Sequence, residues 1–230
     1  MKNISFTLDG YRGIYDQKYI FVVVLSLLYP VMIISNTVLI YIIFVERVLH
    51  KPMYIFICNL ACINLYGGSA MTPFILTKMM TEDYQITWFS CLMQIFSIFT
   101  YGSCDITNLT FMAYDRYISI CYPLEYEKIV TPTKVILGVT VSWLLPFVRS
   151  AITISLTANL NICGQIIEKV YCDNFSVVNR FNMRHVPYTL RVILSLYVLI
   201  LSPIINPIIY GIKTKKIKEV MIKKFVPRSN

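Results

Sequence analysis

The sequence predicts an all-α integral membrane protein, a bundle of five membrane-spanning helices, and three observations carry that prediction. Hydrophobic residues make up 57% of the 230 positions and charged residues 14%, with a mean hydropathy of +0.63; a soluble surface needs far more charge. Five apolar runs are each long enough to cross a hydrocarbon core of ~30 Å at ~1.5 Å per helical residue. The Lys and Arg residues behind the net charge of +9 cluster beside those runs and at the C-terminus. That is the signature of membrane topology rather than of a nucleic-acid groove, so membrane lipid is the expected surrounding and nucleic acid is not a partner.

Residues 1–18 are mixed and polar, and Asn3-Ile4-Ser5 is an N-glycosylation sequon, usable where this end is lumenal. The first apolar run, 19–44, exceeds a signal-peptide core and lacks a small-x-small cleavage site, so it reads as a retained span. Pro30 is its expected kink. A short basic loop, Glu46 to Lys51, leads to the second span, 53–76, with Pro73 near its end. After the acidic Thr81-Glu82-Asp83 the third span covers 92–121 and is long enough to be tilted. A loop with charges of both signs precedes the fourth span, 135–156. A polar stretch from Asn159 to Arg191 holds Cys163, Cys172 and a second sequon at Asn174. The fifth span, 192–212, contains two prolines, and residues 213–230 form a basic tail.

With the N-terminus outside, the cytoplasmic side collects Arg47 and Lys51, then Arg116, Lys128 and Lys134, then Lys213, Lys215, Lys216, Lys218, Lys223, Lys224 and Arg228. The positive-inside rule therefore favours an outer N-terminus and a cytoplasmic C-terminus. The seven cysteines have neither zinc spacing nor a Cys-x-x-Cys pair. Cys58, Cys62, Cys104 and Cys121 fall in apolar runs as packing residues, whereas Cys91, Cys163 and Cys172 lie in loops, where a disulfide can form in an oxidising compartment. No zinc-protease, Walker or Ser/His/Asp pattern supports an enzyme, and no paired broken helices support a transporter.

One stretch is more specific. Met112-Ala113-Tyr114-Asp115-Arg116-Tyr117-Ile118-Ser119-Ile120-Cys121-Tyr122-Pro123-Leu124-Glu125-Tyr126 resembles the "MAYDRYVAICxPLxY" signature of vertebrate-type olfactory (odorant) receptors, within the rhodopsin-like G-protein-coupled receptors. Further segments resemble that family in order. Ser35-Asn36 stands where the first helix usually has Gly-Asn. Leu49 to Phe56 is similar to "LHxPMYxFL", and Pro203 to Tyr210 to the "PxLNPxIY" of the seventh helix. After Val178 the family would run through its fifth and sixth helices, yet Asn179 to Pro187 already resembles the approach to the seventh. The "KAxSTCxSH" signature of the sixth helix is absent. A helical hairpin with its loop takes roughly 70–90 residues. The resemblance thus implies a rhodopsin-like bundle with five of the usual seven helices, joined near Val178-Asn179. Losing two crossings leaves the direction of the last helix unchanged.

The same resemblance implies roles for individual residues. Asp115-Arg116-Tyr117 would be the G-protein switch, Arg116 restrained by Asp115 at rest and released when the sixth helix moves; the alternative is a charged helix end at the headgroups. Asn64, Asp105 and Asn206 would form the interior polar pocket, either holding a sodium ion or leaving Asp105 a protonated, hydrogen-bonded acid. Cys91 and Cys172 would form the disulfide, and Cys163 would be left unpaired. Ile98, Phe99, Gly102 and Ser103 share one face of the third span and, with Leu196 and Leu199 opposite, are candidate odorant contacts; ordinary helix packing is the alternative. Arg149 departs from the family's apolar pattern in the fourth span and would either snorkel outward or mark relaxed constraint on this copy. The implied partners are a small organic odorant, a heterotrimeric G protein of the olfactory stimulatory type, and a second receptor in a dimer. The implied location is the plasma membrane, with retention in the endoplasmic reticulum as the alternative. Without a sixth helix, signalling is expected to be impaired; the alternative is a non-signalling truncated receptor, as an interaction partner, a pseudogene product or the product of a mis-spliced transcript.

Overall fold

A computed structural model describes residues 5–11, 17–159, 166–167, 169–172, 203–206 and 217. Asn3, Cys163, Asn174, Leu196, Leu199, the Val178-Asn179 junction and all of the fifth apolar run except 203–206 lie outside the described residues.

Four long helices dominate: α1 (Lys18–Val45), α2 (Pro52–Thr81), α3 (Trp88–Cys121) and, after the short α4 (Tyr126–Ile129), α5 (Pro132–Ala158). Each extends past the apolar run it contains, because its first or last turn is built from loop residues. Pro52 and Pro132 open α2 and α5 in the first turn, where a missing N–H costs nothing. Thr87 and Thr131 cap α3 and α5 by accepting from the backbone N–H of Ser90 and Lys134, the expected use of a short hydroxyl there.

By length and composition α1, α2 and α5 can each cross a membrane. In α2, 61% of the most apolar stretch is buried, against 22% in α1 and 28% in α5, so α2 is the interior helix and the other two face outward. Although about 51 Å long at helical rise, α3 does not meet the same apolar criterion. Polar side chains dilute its apolar content, and Gln94, Thr100, Asn108 and Asp115 among them are buried. It packs between α2 and α5, where protein rather than lipid meets those groups.

Close approach within the bundle rests on two adjacent glycines of α2. A Cβ on Gly67 would come within 2.3 Å of the Tyr101 ring on α3, and one on Gly68 within 2.3 Å of the Met32 side chain on α1. Consecutive helical residues point about 100° apart, so the pair serves two neighbours at once, the small-residue packing that membrane bundles favour.

One end of the bundle is closed by a small sheet of order β2-β1-β3. Strand β1 (Ser5–Leu8) pairs antiparallel with β2 (Gln85–Thr87) and parallel with β3 (Ile166–Ile167). The alternation in Ser5-Phe6-Thr7-Leu8 turns Phe6 and Leu8 into the core, at 1% and 0% exposure. The sheet is tied down by Tyr11, whose hydroxyl donates to the Val170 carbonyl at 2.6 Å and whose ring stacks on Tyr84. Burial pushes the Tyr11 phenol well above its ordinary pKa. An ion pair from Lys18 to Glu82 joins the start of α1 to the end of α2.

The glycine geometry makes a paired prediction. Gly67→Ala should lower stability by about 1–3 kcal/mol through overpacking against Tyr101. Gly102→Ala, where an added Cβ meets no described atom within 4 Å, should be neutral or gain up to about 1 kcal/mol from helix propensity. Thermal unfolding of the two variants in one detergent checks the contrast.

Candidate functional site

Two buried amide nodes hold the interior, and the first is built around Asn36, Asn64 and Asn206. Asn36 Nδ2 donates to the Met32 carbonyl at 2.9 Å and to the Pro203 carbonyl at 3.0 Å. Asn64 Nδ2 donates to Asn36 Oδ1 at 3.2 Å, and Asn206 Nδ2 to Asn64 Oδ1 at 3.5 Å. Asn36 and Asn64 are 0% and 1% exposed, so α1, α2 and the Pro203–Asn206 turn are bonded where water cannot compete. Of the interior trio expected from sequence, the structure brings Asn64 and Asn206 together. Asp105 does not join them: its Oδ1 is buried and has no hydrogen-bond partner among the described residues.

The described bonds tie the amides to one another rather than to the acid: Asn36 Oδ1 and Asn64 Oδ1 each accept from an amide, and no described bond joins Asp105 to Asn64 or Asn206. No group of three or more His, Cys, Asp or Glu side chains placed to hold a metal occurs among the described residues.

The second node was not singled out from sequence. Asn59 Nδ2 donates to Asn108 Oδ1 at 2.8 Å and to Ser142 Oγ at 2.9 Å, while Trp143 Nε1 donates to Asn59 Oδ1 at 2.7 Å. Asn108 Nδ2 donates in turn to the Phe56 carbonyl at 3.1 Å. This node joins α2, α3 and α5. Its signal was present in the sequence: asparagines inside apolar runs bind helices together because hydrocarbon offers them no other partner.

At the opposite end from the sheet, Asp115 is 4% exposed and accepts from the Tyr126 hydroxyl at 2.6 Å. Arg116 and Tyr117 are exposed. The expected restraint of Arg116 by Asp115 is not seen as a direct contact. No ion pair joins them among the described residues, and the carboxylate is turned inward to a phenol from α4. Burial, and then the hydrogen bond and charge of Asp115, push the Tyr126 phenol well above its ordinary value. Beside Asp115 lies an apolar cavity of about 250 Å³ between α3 and α5, lined by Phe111, Val135 and Gly138 among others.

At the sheet end, Cys91 and Cys172 form a disulfide with Cα atoms 5.3 Å apart. Beside it Gln94 Oε1 accepts from the Cys172 backbone N–H at 3.0 Å. Of the candidate odorant contacts, Ile98 and Phe99 pack against the apolar core under the sheet, which is ordinary helix packing. Gly102 faces open space among the described residues, and Ser103 is half-buried.

Five apolar runs, a buried amide chain from the first helix to the last, an acid-arginine-tyrosine end on the third helix and a disulfide at its start together define a class of membrane receptor. The sequence profile of the 7 transmembrane receptor (rhodopsin family) matches residues 35–211, and the chain belongs to that family, which is one of receptors and not of enzymes. Within it, the chain is similar to human Olfactory receptor 11A1, 35% identical over 170 residues that cover 74% of this chain and 54% of the relative. It is also similar to human Olfactory receptor 5K1, 34% identical over 174 residues (75% and 56%), and to mouse Olfactory receptor 7A42, 34% identical over 171 residues (74% and 55%). The chain spans about half the length of the curated relatives it matches.

Two variants check these nodes. Tyr126→Phe strands a buried carboxylate oxygen and should cost about 1–3 kcal/mol, read as an earlier thermal transition. Asn59→Ala removes the bonds to Asn108, Ser142 and Trp143 and should cost at least as much, with Asn59→Asp restoring only the bond from Trp143 because its carboxylate accepts but cannot donate to Asn108 or Ser142.

Proposed function

We propose that this chain is an odorant receptor by lineage, which keeps the scaffold of a G-protein-coupled receptor and lacks the hairpin that transmits its signal. The observation that carries this reading is the extent of the family match. It runs through to residue 211, past Asn206-Pro207-Ile208-Ile209-Tyr210, in a chain whose matches span only 54% to 56% of relatives such as Olfactory receptors 11A1 and 5K1. The shortage is thus internal, with the junction near Val178-Asn179.

A family member of this kind binds small organic odorants at the outer half of its third helix and couples inside to a heterotrimeric G protein. The same orientation is proposed here, with the N-terminus outside and the C-terminus in the cytoplasm. The Cys91–Cys172 disulfide supports it, since a disulfide forms where the compartment is oxidising and this one shares its end of the bundle with strand β1. Ligand-driven signalling biases one conformational equilibrium over another. Arg116 is exposed and ready for a partner, but without a sixth helix no lever covers and uncovers it. The chain is then a plasma-membrane or retained receptor that does not signal alone; pairing with a full-length receptor is the second reading, which the open side of α3 favours.

The test is expression with a surface tag and a cAMP reporter, beside a full-length olfactory receptor. The expected outcome is no ligand-evoked, G-protein-dependent rise across an odorant panel. A rise comparable to that of the full-length receptor would overturn the reading. Transcript reads that join the Val178 and Asn179 codons without interruption are expected if the deletion is real, and their absence would assign it to mis-splicing.

A further inference from the structure

Arg149 carries a charge on the side of a membrane-spanning helix that faces away from the bundle. Helix α5 is long and apolar enough to span, and Arg149 is exposed among Leu145, Val148 and Ile152, themselves 49–59% exposed. Its backbone carbonyl accepts from Thr153 Oγ1 at 3.0 Å, but no hydrogen bond or ion pair reaches the guanidinium among the described residues. A charge in that position needs an anion.

A second copy of the chain does not supply one. An isologous contact through this face would set two guanidiniums against each other. Asp105, the one acid in the middle of α3, is at the wrong depth. Phe147 meets Phe96 across the α3–α5 contact. Arg149 lies two residues beyond that level toward the sheet, and Asp105 nine residues beyond it the other way, a difference of roughly 16 Å at helical rise. Copies in one membrane share an orientation, so that offset persists in any pair.

The remaining anion at this depth belongs to the bilayer. Ala158, at the sheet end of α5, is nine residues away, about 14 Å along a helix about 40 Å long. That leaves Arg149 within the hydrocarbon but nearer this interface than the other. Cα–Cβ bonds tilt toward the helix N-terminus, which here points away from that interface. The stem starts out pointing away from the headgroups, which favours a headgroup coming down to meet it. We propose that Arg149 is a phospholipid site, its guanidinium holding the phosphate of one lipid drawn below the plane of its neighbours in the leaflet at the sheet end. A planar guanidinium binds phosphate through two parallel N–H···O bonds, and Leu145, Val148 and Ile152 offer the acyl chains an apolar wall. This is independent of the odorant reading and needs only that α5 spans the membrane.

The test is native mass spectrometry of the purified, delipidated full chain, titrated with phosphatidylglycerol, with digalactosyldiacylglycerol as a phosphate-free lipid, and with inorganic phosphate. The wild type is expected to hold one phosphatidylglycerol more tightly than the galactolipid, with inorganic phosphate not displacing it. R149Q should weaken that binding about tenfold, the effect of losing one charge-assisted contact, and R149K should fall between, as a point charge without the fork. R149Q removes a charge from a lipid-facing surface and should fold, which its melting temperature verifies. Equal phosphatidylglycerol affinity in R149Q and wild type overturns the proposal. So does equal affinity of the wild type for both lipids, displacement by inorganic phosphate alone, or a loss of self-association in R149Q with lipid binding unchanged.

Discussion

The bundle depends on the amides that α2 sends into its neighbours. Asn59 and Asn64 are five residues apart, about 140° around the helix axis, so they face different partners. Asn64 bonds to Asn36 of α1 and to Asn206, while Asn59 bonds to Asn108 of α3 and to Ser142 and Trp143 of α5. Apolar packing between helices gains little in lipid, because the surrounding hydrocarbon is as apolar as a leucine. Directional bonds between groups that have no other partner therefore fix which helices meet and at what register. The glycines at 67 and 68, about one turn from Asn64, let the backbones come near enough for those bonds to form. Small side chains and amides act as one device: the first sets the distance and the second fixes the register.

The sheet end uses different physics, because there the chain leaves the apolar layer and its backbone must be paired. Strand β1 takes the middle of a three-stranded sheet and contributes Phe6 and Leu8 to the same core that holds Met71, Ile75 and the Cys91–Cys172 bridge. The bridge closes a loop across 81 residues, and long loops are where a cross-link removes most freedom from the unfolded chain. Residues 5–11 are thereby part of the folded end rather than an appendage. Gly10 shows how closely it fits, since a Cβ there would come within 2.5 Å of the Lys169 backbone.

Legibility in the sequence followed the length scale of each signal. Helices of 27 to 34 residues show as apolar runs, and a fifteen-residue motif marks the family. Strands of two to four residues fall below the length at which alternation stands out, although Ser5-Phe6-Thr7-Leu8 and Gln85-Ile86-Thr87 do alternate. The partner of Asp115 was not readable either. Adjacency suggested Arg116, but successive helical residues diverge by about 100°; the carboxylate points into the bundle and meets Tyr126, while Arg116 points out. The interior trio was half legible for a related reason. Asn64 and Asn206 bond because two amides complement each other as donor and acceptor, whereas Asp105, as a carboxylate, offers only acceptors and the amides around Asn64 are already committed.

Those commitments bear on the proposed loss of two helices. Every described bond in the two amide nodes runs among α1, α2, α3, α5 and residues 203–206, so the described contacts that specify the bundle do not call on a fifth or sixth helix of the full-length family. On the proposed reading the loss would fall on α3. Its Gly102 meets open space among the described residues, and below it Ile106 is 68% exposed and Ile120 is 76% exposed, on the helix that carries Asp105 and Arg116. A scaffold whose register is set by buried amides can survive the removal of a neighbour, because none of those amides is left without a partner.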